Sequence, residues 1–293
     1  MPQEHSFNLT SLSEGISAAV SVAARRVVAV HSRRRRPFSG IIWRTGLVVT
    51  AEEALDHEED LSVALPSGNS AAAEIVGRDP STDVGLLRAA THDAEVWSQS
   101  TTPVVGSLAL VIGRGDQSPI ASLCLVAEVG GAWRSMRGGR IDARIRLGLA
   151  LTARAEGGAV TAPDGSLIGL AVTGPRGSAL AIPAATVERA VAALLEKGYV
   201  ARGFLGVELQ SLRQRSGRPG VIVVEVEPSS PAQQAGFVVG DIITTWGGEP
   251  VHATSDVARR LGTDSIGQST TIGILRGGVA SEISVTVGER SRA

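Results

Sequence analysis

From Val27 to Ile182 the chain reads as short apolar runs broken by turn residues, most of them too short to be helices. "VVAVHS" (Val27–Ser32) has the pattern of a strand. "SGIIWRTGLVVTA" holds two apolar runs split by Thr45-Gly46, which is a hairpin signal. "LSVALPSGNSAAAEIVGRDPSTDVGLLRA" repeats the device with a Pro/Gly/Asn turn and an Asp-Pro turn. Further strands are predicted at Leu108–Ile112, Leu123–Val129, Ile141–Ile145, Leu167–Thr173 and Ala179–Ile182. Many short strands with closely spaced turns point to an all-β barrel or sandwich. Ahead of them, residues 1–15 are polar and expected to fray, and Ile16–Arg26 allows a short helix.

The period changes at Pro183. In "PAATVERAVAALLEKG" the residues Val187, Ala190, Val191, Leu194 and Leu195 fall at helical spacing, with Pro183 at the start and Gly198 at the C-terminal cap position. This helix marks a boundary between two domains. A compact unit follows, Gly203–Gly288. It holds a strand "VIVVEVEP", a short helix "SPAQQAG" closed by Gly236, and a strand with a Gly-Gly turn "DIITTWGGEPV". A helix "TSDVARRLG" capped by Thr254 or Ser255 and a hairpin around Arg276-Gly277-Gly278 complete it.

The bulk numbers narrow the function classes. A chain of 293 residues suggests about two domains, and 43% hydrophobic residues excludes disorder by composition. The net charge of −1 leaves no global field for nucleic acid or an anionic membrane. Cys124 is the only cysteine, so no intrachain disulfide and no cysteine-rich metal site is available; it sits in "LCLVAEV" as a buried, inert thiol. No cofactor is expected. Arg25 and Arg26 interrupt the apolar N-terminal stretch, and no run reaches the roughly 18 uncharged apolar residues that a membrane span needs. The expected compartment is the cytoplasm, or the periplasm if a leader has been removed.

One stretch carries the chemical question. "RAEGGAVTAPDGSLIGLAV" (Arg154–Val172) has the glycine pair, turn and strand of a serine-protease nucleophile region, but Glu156 stands before Gly157-Gly158. With "GLVVTAEEAL", "EIVGRDPSTDVGLLRA", "ALAIPAATVERAVAALLEKG", "ARGFLGV" and "VEPSSPAQQAGFVVGDIITTWGGEPV" in collinear order, the chain resembles HtrA/DegP-type proteins from about Val27 to Val287. The resemblance implies a mostly β protein: a chymotrypsin-like double six-stranded β-barrel followed by a C-terminal PDZ domain. Its implied layout is an N-terminal segment at 1–26, a trypsin-like (pseudo)protease domain at 27–183, a linker helix at 184–202 and a PDZ domain at 203–288. Matched to the family's motifs, Glu53 takes the histidine position of Thr50-Ala51-Glu52-Glu53, Asp83 keeps the aspartate in Thr82-Asp83-Val84, and Glu156 takes the serine position. Arg154 stands where a glycine beside Gly157 would shape the oxyanion region.

These replacements remove the mechanism. Acyl transfer needs a hydroxyl nucleophile, a base near neutral pKa and oxyanion donors. A glutamate at the nucleophile position would have to form an unstable mixed anhydride. His31, His57 and His92, and Ser135, Ser166 and Ser178, belong to no alternative nucleophile motif. Glu53 also has a structural explanation, a capping box with Thr50, and that reading is preferred. If instead Glu53, Asp83 and Glu156 meet, three carboxylates cannot all stay ionised. An internal arginine such as Arg154 ranks first as the remedy, protonation second, and a hard cation third. The acidic run Glu52–Asp60 and the basic run Arg33–Arg36 read as solvated.

By the same resemblance, the PDZ part binds an extended C-terminal peptide as an added strand. Phe204, Leu205 and Gly206 would hold the carboxylate, Val207 and Leu209 would pair with the ligand, and Val257, Ala258 and Leu261 would line the side-chain pocket. The expected function is a proteolytically inactive HtrA-like scaffold or regulator. Its partners are peptide or protein C-termini and unfolded protein, not nucleic acid, and the resemblance implies a homo-oligomer such as a trimer. Two alternatives stay open: an active endopeptidase of protein quality control, serine-type or using acid chemistry on the three carboxylates, and a chaperone-like holdase.

Overall fold

The computed structural model describes residues 8–32, 36–55, 60–91, 97–212 and 220–290. The chain divides into two compact units, Met1–Trp133 with Ile141–Gly198, and Arg134–Arg140 with Tyr199–Ala293.

The first unit opens with helix α1 (Leu9–Ala23), which starts earlier than the apolar pattern suggests because the Asn8 side chain accepts the N–H groups of Thr10 and Ser11. Six strands then close a barrel: β1 (Val27–His31), β2 (Phe38–Arg44), β3 (Leu47–Thr50), β4 (Ser62–Ala64), β5 (Ser70–Asp79) and β6 (Val84–Ala89), in the order β1-β2-β3-β6-β5-β4. All pairings are antiparallel, and Val28, Val30, Ile42, Val48, Leu86 and Leu87 are fully buried.

A second barrel is built from β7 (Leu108–Arg114), β8 (Pro119–Gly130), β11 (Arg144–Leu147), β12 (Ala159–Thr161), β13 (Leu167–Thr173) and β14 (Ala179–Pro183), in the order β11-β14-β13-β12-β7-β8. Two short strands, β9 (Trp133–Arg134) and β10 (Arg140–Ile141), precede β11. The single strand expected at Ile141–Ile145 is therefore two. The break falls at Asp142, whose N–H donates to Thr186 Oγ1 and whose carboxylate accepts from Thr186 and Arg189. Those partners lie on α2 (Ala184–Lys197), which Gly198 ends in the left-handed region.

The second unit is a five-strand antiparallel path, β16 (Val207–Leu212), β17 (Gly220–Val226), β18 (Ile242–Trp246), β20 (Ser269–Arg276) and β21 (Val279–Thr286), with β19 (Glu249–Pro250) paired to β18. A further pair joins β15 (Gly203–Phe204) to β22 (Gly288–Glu289). Its core gathers Leu205, Val221, Val223, Phe237, Ile243, Trp246, Val257, Ile272 and Ile274. Helix α3 (Pro231–Ala235) is capped by Ser230 and closed by Gly236. Helix α4 (Thr254–Arg260) is not capped by Thr254 or Ser255. The Asp256 carboxylate serves instead, accepting the N–H groups of His252 and Ala253 at 2.8 and 3.0 Å.

Candidate functional site

In the first unit the two barrels meet around Ser39, a fully buried hydroxyl in the apolar strand β2. Every polar group of Ser39 is used: its N–H donates to Glu156 O at 2.8 Å and its Oγ to Arg154 O at 2.5 Å. Its Oγ also accepts Arg114 N–H at 2.8 Å, and its O accepts Thr50 Oγ1–H at 2.7 Å. This one residue ties β3 and β7 to the loop that carries Glu156. No periodicity signals its role; the only hint in the chain is a hydroxyl inside an apolar run.

The loop is held without slack. Gly157 has φ 76°, and a Cβ there would lie 2.2 Å from Ser39 O and 2.4 Å from Thr50 Oγ1. A Cβ on Gly158 would lie 2.4 Å from Ile112 O. The glycine pair is thus required by the packing between the barrels, with no appeal to catalysis. The preceding residues form a tight turn, Ala153–Ala155. Ala155 N–H and Glu156 N–H both donate to Thr152 O, at 2.9 and 3.2 Å. In a serine protease the N–H of the nucleophile residue is one of the oxyanion donors. At position 156 that donor is already committed.

Asp83 sits before β6 with φ 58°, a conformation that Asp and Asn tolerate better than most residues. It is positioned by the turn ahead of it, where the buried Asp79 carboxylate accepts Ser81 N–H at 3.0 Å and the hydroxyls of Ser81 and Thr82 at 2.5 Å. Asp83 Oδ1 accepts the N–H of Glu53 at 2.8 Å, and Asp83 O accepts that of Glu52 at 3.3 Å. This geometry replaces the expected capping box: Thr50 gives its hydroxyl to Ser39, and Glu53 gives its N–H to Asp83. Glu52–Ala54 is a single turn whose first flanking residue, Ala51, makes no side-chain cap.

Glu53 is exposed, while Glu156 is half-buried and accepts Thr173 N–H at 3.4 Å. Both carboxylates act on Asp83. Burial, then the charges of Glu53, Glu156 and Glu52, pushes the Asp83 carboxyl from 3.8 to about 7, against the Glu53 N–H that favours the anion. The arginine remedy does not operate here. The Arg154 guanidinium reaches the β7–β8 hairpin, with Nη1 3.6 Å from where a Cβ on Gly115 would stand. The raised pKa of Asp83 eases the crowding of charge instead. Among the described residues no group of three or more His, Cys, Asp or Glu side chains could hold a metal ion.

The acidic run is not all solvated: Glu52 is 5% exposed and paired with Arg78 at 2.6 Å. Residues 56–59 of that run, with His57, lie outside the described residues, as do Arg33, Arg34, Arg35 and His92. His31 pairs with Asp116 at 3.3 Å. Ser166 and Ser178 donate locally to Asp164 and Pro175 O, and Ser135 accepts from Arg137 and Gly139 N–H. Cys124 is buried, and its thiol is pushed up by that burial.

In the second unit β16 is an edge strand, with α4 beside it. Thr254 N–H donates to Ser211 Oγ at 3.1 Å and fastens the start of α4 to the far end of β16. At the near end, Leu205 O accepts Ala232 N–H and Gly206 O accepts Glu227 N–H, at 2.9 and 2.8 Å. A trans peptide points its C=O and the following N–H in opposite directions, so the N–H groups of Gly206 and Val207 face away from α3 and β17. Gly206 has φ 78°, and a Cβ there would lie 2.2 Å from Ser230 Cβ. Phe204, Val207, Leu209, Ala258 and Leu261 are partly exposed around this edge. Leu205 and Val257 are buried in the core.

Comparison with known proteins agrees with this division. Residues 38–170 match the model of a trypsin-like peptidase domain, and residues 203–287 that of a PDZ domain. The chain is 28% identical over 275 residues to a probable periplasmic serine endoprotease DegP-like from Brucella suis, covering 88% of this chain and 53% of that protein. It is 28% identical over 265 residues to the periplasmic serine endoprotease DegP of Escherichia coli, covering 84% and 55%. The chain thus spans about half the length of the curated relatives it matches. Among solved structures, a serine endoprotease from Yersinia pestis superposes with a TM-score of 0.69 at 26% identity, over 94% of this chain and 98% of that one. The HtrA-type protease AlgW with decapeptide superposes with a TM-score of 0.70 at 22% identity, over 95% and 99%, which speaks to fold alone. Among the described residues no helix is long and apolar enough to cross a membrane.

Proposed function

The chain belongs to the HtrA/DegP-type family, and from that premise we propose that it is a non-cleaving member that grips polypeptide C-termini in its PDZ groove. The observation that carries the first half is the state of the Glu156 loop. A carboxylate replaces the nucleophile, and the N–H that would steady an oxyanion is donated to Thr152 O at 3.2 Å. Glu53, in the place of the base, approaches Asp83 through its backbone N–H. Position 156 offers no hydroxyl, so even a base raised to about pKa 7 at Asp83 has no alkoxide to generate there.

The second half rests on the open edge of β16 and on the outward N–H groups of Gly206 and Val207. Two such donors suit a terminal carboxylate, and an edge strand suits β-augmentation. The barrels then serve as a folded platform, assembled as a homo-oligomer, and the product of the chain is a held terminus. Two measurements on the full chain test the proposal. Unfolded casein incubated from acid to alkaline pH should stay intact, and a fluorophosphonate probe should label no hydroxyl. Peptides with free C-termini should bind and their amidated twins should not; equal binding of both would favour a holdase.

A further inference from the structure

The edge strand β16 has a second face. Val207, Leu209 and Val226 pack against the core of the second unit. Side chains alternate along a strand, so Glu208 and Glu225 project to the opposite face, where both are exposed. The two are direct partners in the β16–β17 ladder, next to the pair Val207↔Val226. Like charges set opposite each other on one sheet face repel. Among the described residues neither carboxylate has a hydrogen-bond or ion-pair partner. Arg213, Arg215 and Arg218 follow Leu212 in the chain, and the ladder pairs from Leu209 to Leu212, about 13 Å of strand, separate that turn from Glu208.

A peptide held at this edge by its C-terminus has a fixed direction and register. With its carboxylate on the N–H groups of Gly206 and Val207, the chain runs back toward Leu212, antiparallel to β16. Its last residue then stands opposite Val207 and its penultimate residue opposite Glu208. Opposed residues of an antiparallel pair share a face. The last side chain therefore lies on the core-facing side with Val207, and the penultimate one beside Glu208 and Glu225.

Building on the reading of the PDZ edge as a C-terminus groove, we propose that Glu208, backed by Glu225, selects peptides with lysine or arginine at the penultimate position. A cation there converts the repulsion within the glutamate pair into attraction on both sides, and a penultimate acid adds a third like charge.

Fluorescence anisotropy on the full chain tests this, with labelled free-C-terminus peptides that differ only in the penultimate residue: lysine, alanine or glutamate. Lysine should bind roughly fivefold more tightly than glutamate, with alanine between them, and added salt should narrow the gap. Glu208→Gln, a change at an exposed position, should reduce the lysine-to-glutamate ratio to about twofold or less. Moving the lysine one position further from the C-terminus, onto the other face, should remove its advantage. The proposal is overturned if the three peptides bind alike, if the preference survives Glu208→Gln, or if it follows the lysine to the neighbouring position. An amidated twin of each peptide separates this failure from that of the groove itself. Free termini that outbind amidated ones without regard to the penultimate residue sink the charge selection alone; equal or absent binding of both sinks the groove and the selection together.

Discussion

At the scale of single residues, two carboxylates in similar strand-end turns behave in opposite ways. Asp241 is fully buried, but Arg276 clasps both of its oxygens at 2.8 Å and holds its pKa below the usual range. Arg276→Ala strands that charge, and unfolding in urea should move to a lower midpoint. Because the Asp241 pKa is depressed, its contribution is present at neutral pH and is lost as pH falls through the folded value. Asp83 has the reverse sign. Its folded pKa is raised from 3.8 to about 7, so the folded state keeps a proton that the unfolded chain releases. The associated stability is present in full below about pH 4 and drains away as pH rises to about 7. Asp83→Asn keeps the acceptor for Glu53 N–H and suits the φ of 58°, so it should stabilise by on the order of 1 kcal/mol at pH 8 and by nothing near pH 4. Denaturant midpoints at the two pH values check this. The residue identities behind both effects are plain in the sequence. Their signs are not, because a pKa depends on which groups the fold brings near and on how much water it removes.

At the scale of elements, the turn at Ala153–Ala155 and the loop after it decide more than any single side chain. Gly157→Ala would set a Cβ against Ser39 O and Thr50 Oγ1 in a left-handed conformation, and should cost at least about 3 kcal/mol in thermal unfolding. Placing histidine at position 53 and serine at position 156 should not produce cutting. The double variant Glu53→His with Glu156→Ser leaves the residue-156 N–H bonded to Thr152 O and Arg154 in place, so casein should remain uncut. Turnover in that variant would mean that the loop rearranges freely, against the packing described for it. The strands and their hairpins were legible because alternation and turn dipeptides act locally. The capping box at Thr50 was misread because the motif satisfies local rules, while Ser39 and Asp83, distant in sequence, offered competing partners. The cap of α4 was misread for a related reason: any of several polar side chains could serve, and the loop geometry chose Asp256 over Thr254 and Ser255.

At the scale of the molecule, one chain holds two barrels and a PDZ sheet, and the proposed function rests on the edge of that sheet. A peptide with a free C-terminus should bind the full chain, and amidation of that terminus should cost about tenfold or more in affinity, read by fluorescence anisotropy. Hydrophobic periodicity, turn chemistry and the order of motifs were enough to establish the fold class and the two-part organisation, because each is written in residue type and spacing. Two things had to wait for tertiary structure: the linking role of Ser39 and the capture of the Glu156 N–H by Thr152. Each depends on contacts between segments far apart in the chain or on the path of the backbone, and neither composition nor local pattern encodes which donor finds which acceptor once water is gone.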